Sequence, residues 1–98
     1  MNLEKNVHLI RKWYRVSGKV QDLGFRRFIA DTAFSIDITG WVRNDSDGSI
    51  ELEAQGEENQ LEQLLYNLEE GPCYAEVHGV QSKKRPVVNS EKSFIIRK

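Results

Sequence analysis

The fold is decided by residues 7–36, VHLIRKWYRVSGKVQDLGFRRFIADTAFSI, because the hydrophobic period changes within this stretch. Over residues 7–20, β-branched and aromatic residues partly alternate with polar ones, which predicts a long strand, with a bend expected near Ser17-Gly18. From Phe25 onward the apolar residues recur at helical spacing, at positions 25, 28, 29, 33 and 36, with Thr32 on the same face. The stretch therefore predicts a strand that leads into a helix through a short connection.

The rest of the chain continues this arrangement with more strands and one more helix. Strands are predicted over residues 41–43, 49–54, 74–80 and 93–97. Asp47-Gly48 lies between the first two of these and is a strong hairpin signal. Leucines at helical spacing between Leu61 and Leu68 predict the second helix, and Glu70-Gly71-Pro72 is a helix-stop signature. This order is typical of the ferredoxin-like α+β sandwich, βαββαβ, in which two helices cover one face of an antiparallel sheet. The last segment would add a short extra edge strand.

Length and composition narrow the functional classes. With 98 residues the chain is expected to form one domain over residues 1–98. Fourteen basic side chains face fifteen acidic ones, and this near-balance argues against a general nucleic-acid or membrane binder. A single cysteine, Cys73, rules out an internal disulfide framework and a thiolate cluster for a metal. Without a signal-peptide pattern or an apolar run of membrane-spanning length, we expect a cytoplasmic protein, with monomer as the default state.

The junction between the first strand and the first helix is the main candidate binding site. A loop that leads into a helix N-terminus presents unpaired backbone N–H groups and the positive end of the helix dipole. Arg26 and Arg27 lie in the first helical turn, where a guanidinium can bind a phosphate or a carboxylate. Adjacent helical positions face different ways, so only one of them can face the loop, and the pattern does not choose between them. The alternative is a solvated arginine pair after an ordinary connection.

The other motifs are weaker indications of function. Gly18-Lys19 lacks the remaining residues of a nucleotide P-loop, and His8 and His78 have no partners at metal-ligand spacing. Residues 24–28, GFRRF, faintly resemble an RNA-binding signature of RRM domains, but their phenylalanines have helical rather than strand spacing. A weaker hypothesis is therefore RNA binding through the open sheet face, which would require exposed aromatic side chains there. No nucleic acid, membrane, metal or cofactor partner is expected.

Two longer motifs resemble a known family. Residues 18–26, GKVQDLGFR, resemble the acylphosphatase signature, Gly-x-Val-Gln-Gly-Val-x-Phe-Arg. Residues 39–44, TGWVRN, followed by Asp47-Gly48-Ser49, resemble the second signature of the same family. The resemblance extends from about residue 12 to 97 and implies the ferredoxin-like fold. It also implies hydrolysis of acyl phosphates to a carboxylate and inorganic phosphate, without a metal or a cofactor.

The resemblance also implies roles for individual residues. Arg26, rather than Arg27, would be the phosphate-binding arginine, and Asn44 would hold and orient the attacking water. The loop whose backbone N–H groups would bind the phosphate oxygens comprises Gln21, Asp22, Leu23, Gly24 and Phe25. The expected partner is a small acyl phosphate, with phosphate or sulfate as a product-like ligand.

Asp22 departs from the family pattern, which usually has glycine at this position. Aspartate tolerates the left-handed backbone region better than most residues, so the loop can keep its shape. Its carboxylate, however, repels an anionic substrate. We therefore expect an active enzyme with weakened phosphate binding. The alternative is an acylphosphatase-fold module that binds anions but has lost turnover.

Overall fold

The computed structural model describes residues 8–22 and 24–98, which form five strands and two helices. In chain order these are β1 (Ile10–Lys19), α1 (Phe25–Ser35), β2 (Thr39–Asn44), β3 (Ile50–Gly56), α2 (Glu58–Glu70), β4 (Glu76–Arg85) and β5 (Phe94–Ile96). The predicted first strand began at Val7, which lies outside the described residues. Within the described ranges, no helix is long and apolar enough to cross a membrane.

The five strands form one sheet in the order β4-β1-β3-β2-β5. The first four strands of this order pair with one another in antiparallel fashion, which confirms the ferredoxin-like α+β architecture. The extra edge strand is also confirmed: it is β5, which pairs in parallel with β2, Gly40 opposite Phe94 and Val42 opposite Ile96. The chain reverses after β4, so β5 runs opposite to β4 and therefore in the same direction as β2. The sheet is mixed.

The bounds of β4 also differ from the prediction. The strand was expected over residues 74–80 but runs over Glu76–Arg85. Ala75 still belongs to a turn, since its N–H donates to the carbonyl of Pro72. The strand then continues to Arg85 because it pairs with almost the full length of β1. Residues 81–85 are polar and exposed at the sheet edge, so no hydrophobic alternation marked them as a strand.

The core lies between the two helices and one face of the sheet. The helices contribute side chains at helical spacing, and the strands contribute alternate side chains from β1, β2 and β3. The largest fully buried members are Tyr14, Val16, Phe25, Ile29, Val42, Ile50, Leu52, Leu61, Leu64 and Leu68. Full burial of such a side chain contributes about 1.5–3 kcal/mol. The predicted apolar face of α1 is thus confirmed as its core-facing side.

A bulge near the end of β1 shapes the approach to α1. The register between β1 and β4 shifts between Ser17 and Gly18, as the expected bend required. Gly18 has φ of 132°, and a Cβ at this position would overlap the carbonyl oxygen of Glu76. Only glycine permits this close approach of two backbones. The bulge ends the regular part of β1 just before the loop that leads into α1.

Candidate active site

The loop between β1 and α1 leads into the helix through Gly24, a residue with a left-handed backbone. Gly24 precedes α1 with φ of 75°, and its carbonyl accepts the first helical hydrogen bond, from the N–H of Phe28 at 3.0 Å. The N–H groups of the first helical turn therefore have no partner within the helix. Asp22 has φ of 62°, so it adopts the left-handed conformation expected for this position. Asp22 is therefore compatible with a left-handed backbone at this position.

The two arginines of the first turn have different environments. Arg26 is half-buried, and its Nη1 donates to the backbone carbonyl of Arg97 at 3.0 Å. Arg27 is 77% exposed, and its Nε lies 3.2 Å from a carboxylate oxygen of Asp31 on the outer face of α1. Arg26 therefore has a fixed guanidinium beside the loop, whereas Arg27 extends into solvent.

Asn44 is the last residue of β2 and brings an amide to the same place. Its side chain is half-buried, and its Oδ1 is buried yet accepts no hydrogen bond from any of residues 8–22 and 24–98. A buried acceptor without a donor costs about 1–3 kcal/mol, so such groups commonly serve a ligand or a water molecule. An amide oxygen can accept a hydrogen bond from a bound water.

Gln21 ties the loop to the turn that follows Asn44. Its Nε2 donates to the carbonyl of Asp45 at 2.6 Å and to the carbonyl of Ser49 at 2.8 Å. The carboxylate of Asp45 is held in turn by Arg15, at 3.1 Å. The side chain of Gln21 thus links the β1–α1 loop to the β2–β3 turn, a contact that no local sequence pattern predicts.

The turn itself is held by a second carboxylate. The Ser49 hydroxyl and backbone N–H both donate to Asp47, at 2.6 and 2.9 Å, and these hydrogen bonds hold the pKa of Asp47 below its ordinary value. An ionised Asp47 stabilises the turn, and the turn fixes the direction in which β2 ends. Asn44 is therefore placed by the closed hairpin rather than by its own side-chain contacts.

These elements enclose a cavity of about 160 Å³. Its lining residues are Val20, Asp22, Gly24, Phe25, Arg26, Arg27, Asn44 and Ile96. Most of the predicted site residues thus meet in one place. Gln21 does not line the cavity, because its side chain is bound to the β2–β3 turn, and Leu23 lies outside the described residues. Val20 and Ile96 were missed, since neither carries a chemical group that a sequence pattern marks.

The open face of the sheet is covered by charged side chains. Trp13 is only 8% exposed, with Arg15 and Arg85 within 5.6 Å of its ring centroid. Trp41 is contacted by Arg43 and, at 4.6 Å, by Arg97. The chain's own cations therefore occupy these aromatic faces, and Trp13 is not the freely exposed ring that RNA binding through the sheet would require.

Metal ligands are not gathered in this site. Over residues 8–22 and 24–98, no group of three or more His, Cys, Asp or Glu side chains could hold a metal ion. The cationic side chains that line the cavity are Arg26 and Arg27, and the N-terminal end of α1 lies beside them. These groups suit a small oxyanion.

Both the sequence and the structure of this chain are similar to those of known acylphosphatases. The family model described as Acylphosphatase matches residues 12–96. An acylphosphatase of Geobacillus thermodenitrificans is 40% identical over 92 residues, covering 94% of this chain and 93% of that protein. The structure of an acylphosphatase from Coxiella burnetii superposes with a TM-score of 0.84 at 37% identity, covering 91% of this chain and 93% of that one. Full-length HypF, in a phosphate- and nucleotide-bound form, gives a TM-score of 0.87 at 26% identity, over 96% of this chain and 12% of that one.

Proposed function

Since this chain belongs to the acylphosphatase family, we propose that it hydrolyses the carboxyl-phosphate bond of acyl phosphates, releasing a carboxylate and inorganic phosphate. One observation carries the assignment of the site. Arg26 and Asn44 come from different elements, yet they line the same small cavity at the N-terminus of α1. A cation and a water-binding amide around one cavity are what a phosphoryl transfer to water needs.

Arg26 and the loop backbone would bind the phosphate. A guanidinium has five N–H donors, and the contact with Arg97 engages Nη1, so other donors remain for phosphate oxygens. The backbone N–H groups from Gln21 to Phe25 would add further donors at the positive end of the helix dipole. Together they would neutralise the charge on the equatorial oxygens in the transition state.

Asn44 would position the attacking water through its buried Oδ1. A neutral amide does not deprotonate water at pH 7, so its contribution is orientation, which can lower a barrier by several kcal/mol. The proton of the water would pass to an oxygen of the substrate's own phosphate. The leaving carboxylate is stable, so no strong general acid is needed. We expect Asn44→Ala to lower kcat about a hundredfold while the inhibition constant for inorganic phosphate changes little. Full activity in this variant would disprove the role.

The second candidate function, an anion-binding module with little or no turnover, is favoured by one observation. Asp22 lines the cavity, and none of the described residues forms an ion pair with its carboxylate. Repulsion of a phosphate oxygen about 5 Å away would cost about 3 kcal/mol at an effective dielectric of about 20, but under about 1 kcal/mol in water. Asp22 is exposed, so the smaller value applies. We therefore expect a several-fold loss of affinity and a working enzyme.

An Asp22→Gly variant separates these two functions. If the carboxylate only weakens binding, the variant should bind inorganic phosphate several-fold more tightly, as measured by its inhibition constant, and the unaltered protein should turn over. No gain in phosphate affinity would refute the electrostatic argument. Turnover that appears only after the substitution would favour the binding module.

The assignment of activity and site is tested by hydrolysis of benzoyl phosphate in the presence of a chelator. Arg26→Ala should lower kcat/KM by about 10²–10³, the loss typical of one transition-state donor. Arg27→Ala is the matched comparison from the same helical turn and should lose at least tenfold less. Equal losses in the two variants would refute the choice of Arg26. No turnover by the unaltered protein would refute the proposed activity, and loss of activity on adding the chelator would refute metal independence.

A further inference from the structure

Asp22 is an exposed residue at the mouth of the cavity, and its carboxylate adds a negative charge there. Building on the proposed function, we infer that Asp22 selects among acyl phosphates by the charge of the acyl group. Neutral and cationic acyl groups are favoured, and acyl groups that carry their own anion are disfavoured. Three features of the structure support this inference: the size of the cavity, the charges around its mouth and the conformation of Asp22.

The cavity is small. Its volume of about 160 Å³ lies below the range of about 300–1,000 Å³ typical of pockets for drug-sized ligands. A phosphate group, with its phosphorus and four oxygens, would take up a large part of that space. Val20 and Phe25 line its inner side, since both are fully buried. An acyl group beyond the smallest must therefore extend through the mouth of the cavity into the region of its exposed lining residues.

Three exposed side chains form this mouth, and together they favour a neutral or cationic group. They are Asp22, Arg27 and Ile96, the last of them 43% exposed. The charge of Arg27 is partly offset by Asp31, its ion-pair partner at 3.2 Å. Asp22 has no such partner among the described residues, while Ile96 offers apolar contact. An acyl carboxylate at the mouth would therefore face a like charge, and an acyl ammonium an opposite one.

The charges deeper in the site do not cancel this effect. The positive charge of Arg26 would be compensated by the substrate's phosphate, and its Nη1 already donates to the carbonyl of Arg97. The carboxylate of Asp45 is paired with Arg15 at 3.1 Å. Every acyl phosphate has the same phosphate, so these groups act alike on all of them. At the mouth, Arg27 is partly neutralised by Asp31, whereas Asp22 has no ion-pair partner among the described residues, so its effect differs most from one acyl group to another.

The chain provides a closely matched control for this residue. Within residues 8–22 and 24–98, Asp37 is the other non-glycine residue with a left-handed backbone, φ of 64° against 62° for Asp22, and it is also an exposed aspartate. It follows the opposite end of α1, a helix of 11 residues and thus about 16 Å long. Asparagine tolerates the same conformation, so Asp22→Asn and Asp37→Asn each remove one charge without changing the backbone preference.

The test compares three substrates with the same reacting bond. They are benzoyl phosphate, its para-carboxylate derivative and its para-trimethylammonium derivative, each assayed with the unaltered protein, Asp22→Asn and Asp37→Asn. The measured quantity is the kcat/KM of the cationic substrate divided by that of the anionic one, so intrinsic reactivity cancels between protein variants. A charge pair about 6 Å apart in solvent changes binding about threefold, and the ratio contains two such effects. Asp22→Asn should therefore lower the ratio about tenfold, or about 1.4 kcal/mol, and Asp37→Asn should leave it unchanged.

Two further results test the charge selection: the effect of salt on the ratio and the behaviour of the Asp37→Asn control. The ratio of the unaltered protein should move toward that of Asp22→Asn in 1 M salt, where the screening length is about 3 Å. An Arg26-dependent hydrolysis with the same ratio in the unaltered protein and Asp22→Asn would overturn the charge selection and leave the proposed function intact. An equal change in Asp37→Asn would overturn it as well. Failure of the unaltered protein and of Asp22→Asn to hydrolyse any of the three substrates would overturn both.

Discussion

Replacement of Gln21 by methionine tests whether the side chain that joins the loop to the β2–β3 turn serves catalysis as well as stability. Methionine keeps the length of the side chain and removes its amide. The two donated hydrogen bonds, at 2.6 Å to Asp45 and 2.8 Å to Ser49, are then lost together. The backbone N–H of position 21, which the proposed function assigns to phosphate binding, remains in place.

The magnitude follows from these two contacts. Each intramolecular hydrogen bond contributes about 1 kcal/mol net, so Gln21→Met should lower the free energy of unfolding by about 2 kcal/mol. Asn44 directly precedes Asp45, and a displacement of about 1 Å near the reacting groups can cost about a hundredfold in rate. We therefore expect kcat to fall about tenfold to a hundredfold, with a smaller change in KM.

Gln60 offers the matched control, because it also makes two hydrogen bonds but far from the cavity in the fold. Its Nε2 donates to the carbonyl of Ile36 at 2.9 Å, and its Oε1 accepts from the N–H of Glu57 at 2.7 Å. Urea unfolding followed by tryptophan fluorescence should show similar losses for both methionine variants. Benzoyl phosphate kinetics should show a lower kcat for Gln21→Met alone. Equal kcat values at equal stability would refute the positioning role of Gln21.

Two further predictions concern the fold. Gly18→Ala should lower the free energy of unfolding by about 2–4 kcal/mol, because Gly18 has φ of 132° and a Cβ there would overlap a backbone carbonyl of β4. Gly79→Ala is the control, because a Cβ at Gly79 would meet open space. It should change the free energy of unfolding by less than about 0.5 kcal/mol in the same urea experiment. Burial acts to raise the pKa of Glu51, but hydrogen bonds from Trp13 and Arg43 outweigh it and hold that pKa below its ordinary value of 4.5. The stability from this carboxylate is complete above about pH 4.5 and is lost as the pH falls through the lower, folded-state pKa, so Glu51→Gln should lose less stability than the unaltered protein between pH 7 and pH 3. An identical loss would refute that assignment.

The β1–loop–α1 unit was predictable from the sequence because its signals agree. The hydrophobic period changes at Phe25, glycine stands where positive φ is needed, and the apolar spacing of α1 matches its buried face. The strands at the edges were harder to predict. The second half of β4 is polar because it is exposed, and the parallel partner of β5 depends on how the chain returns across the sheet. Neither fact is encoded in a local pattern.

The site was predictable only in part, for a similar reason. Charge and helix position nominated Arg26 and Arg27 equally, and the resemblance to the family chose Arg26. In the structure, Nη1 of Arg26 donates to the carbonyl of Arg97, a residue 71 positions away, and no local pattern encodes this contact. The link from Gln21 to the hairpin and the position of Ile96 at the mouth of the cavity also arise from the tertiary fold. Sequence patterns nominate chemical groups, and packing decides which of them meet.

In the proposed mechanism, a water held by Asn44 attacks the phosphorus of a substrate bound by Arg26. The most direct measurement is hydrolysis of benzoyl phosphate in water enriched in heavy oxygen, with both products analysed by mass spectrometry. Attack at phosphorus places the heavy oxygen in inorganic phosphate and leaves benzoate unlabelled, which is the predicted result. Heavy oxygen in benzoate would mean attack at the carbonyl carbon and would contradict the proposed mechanism.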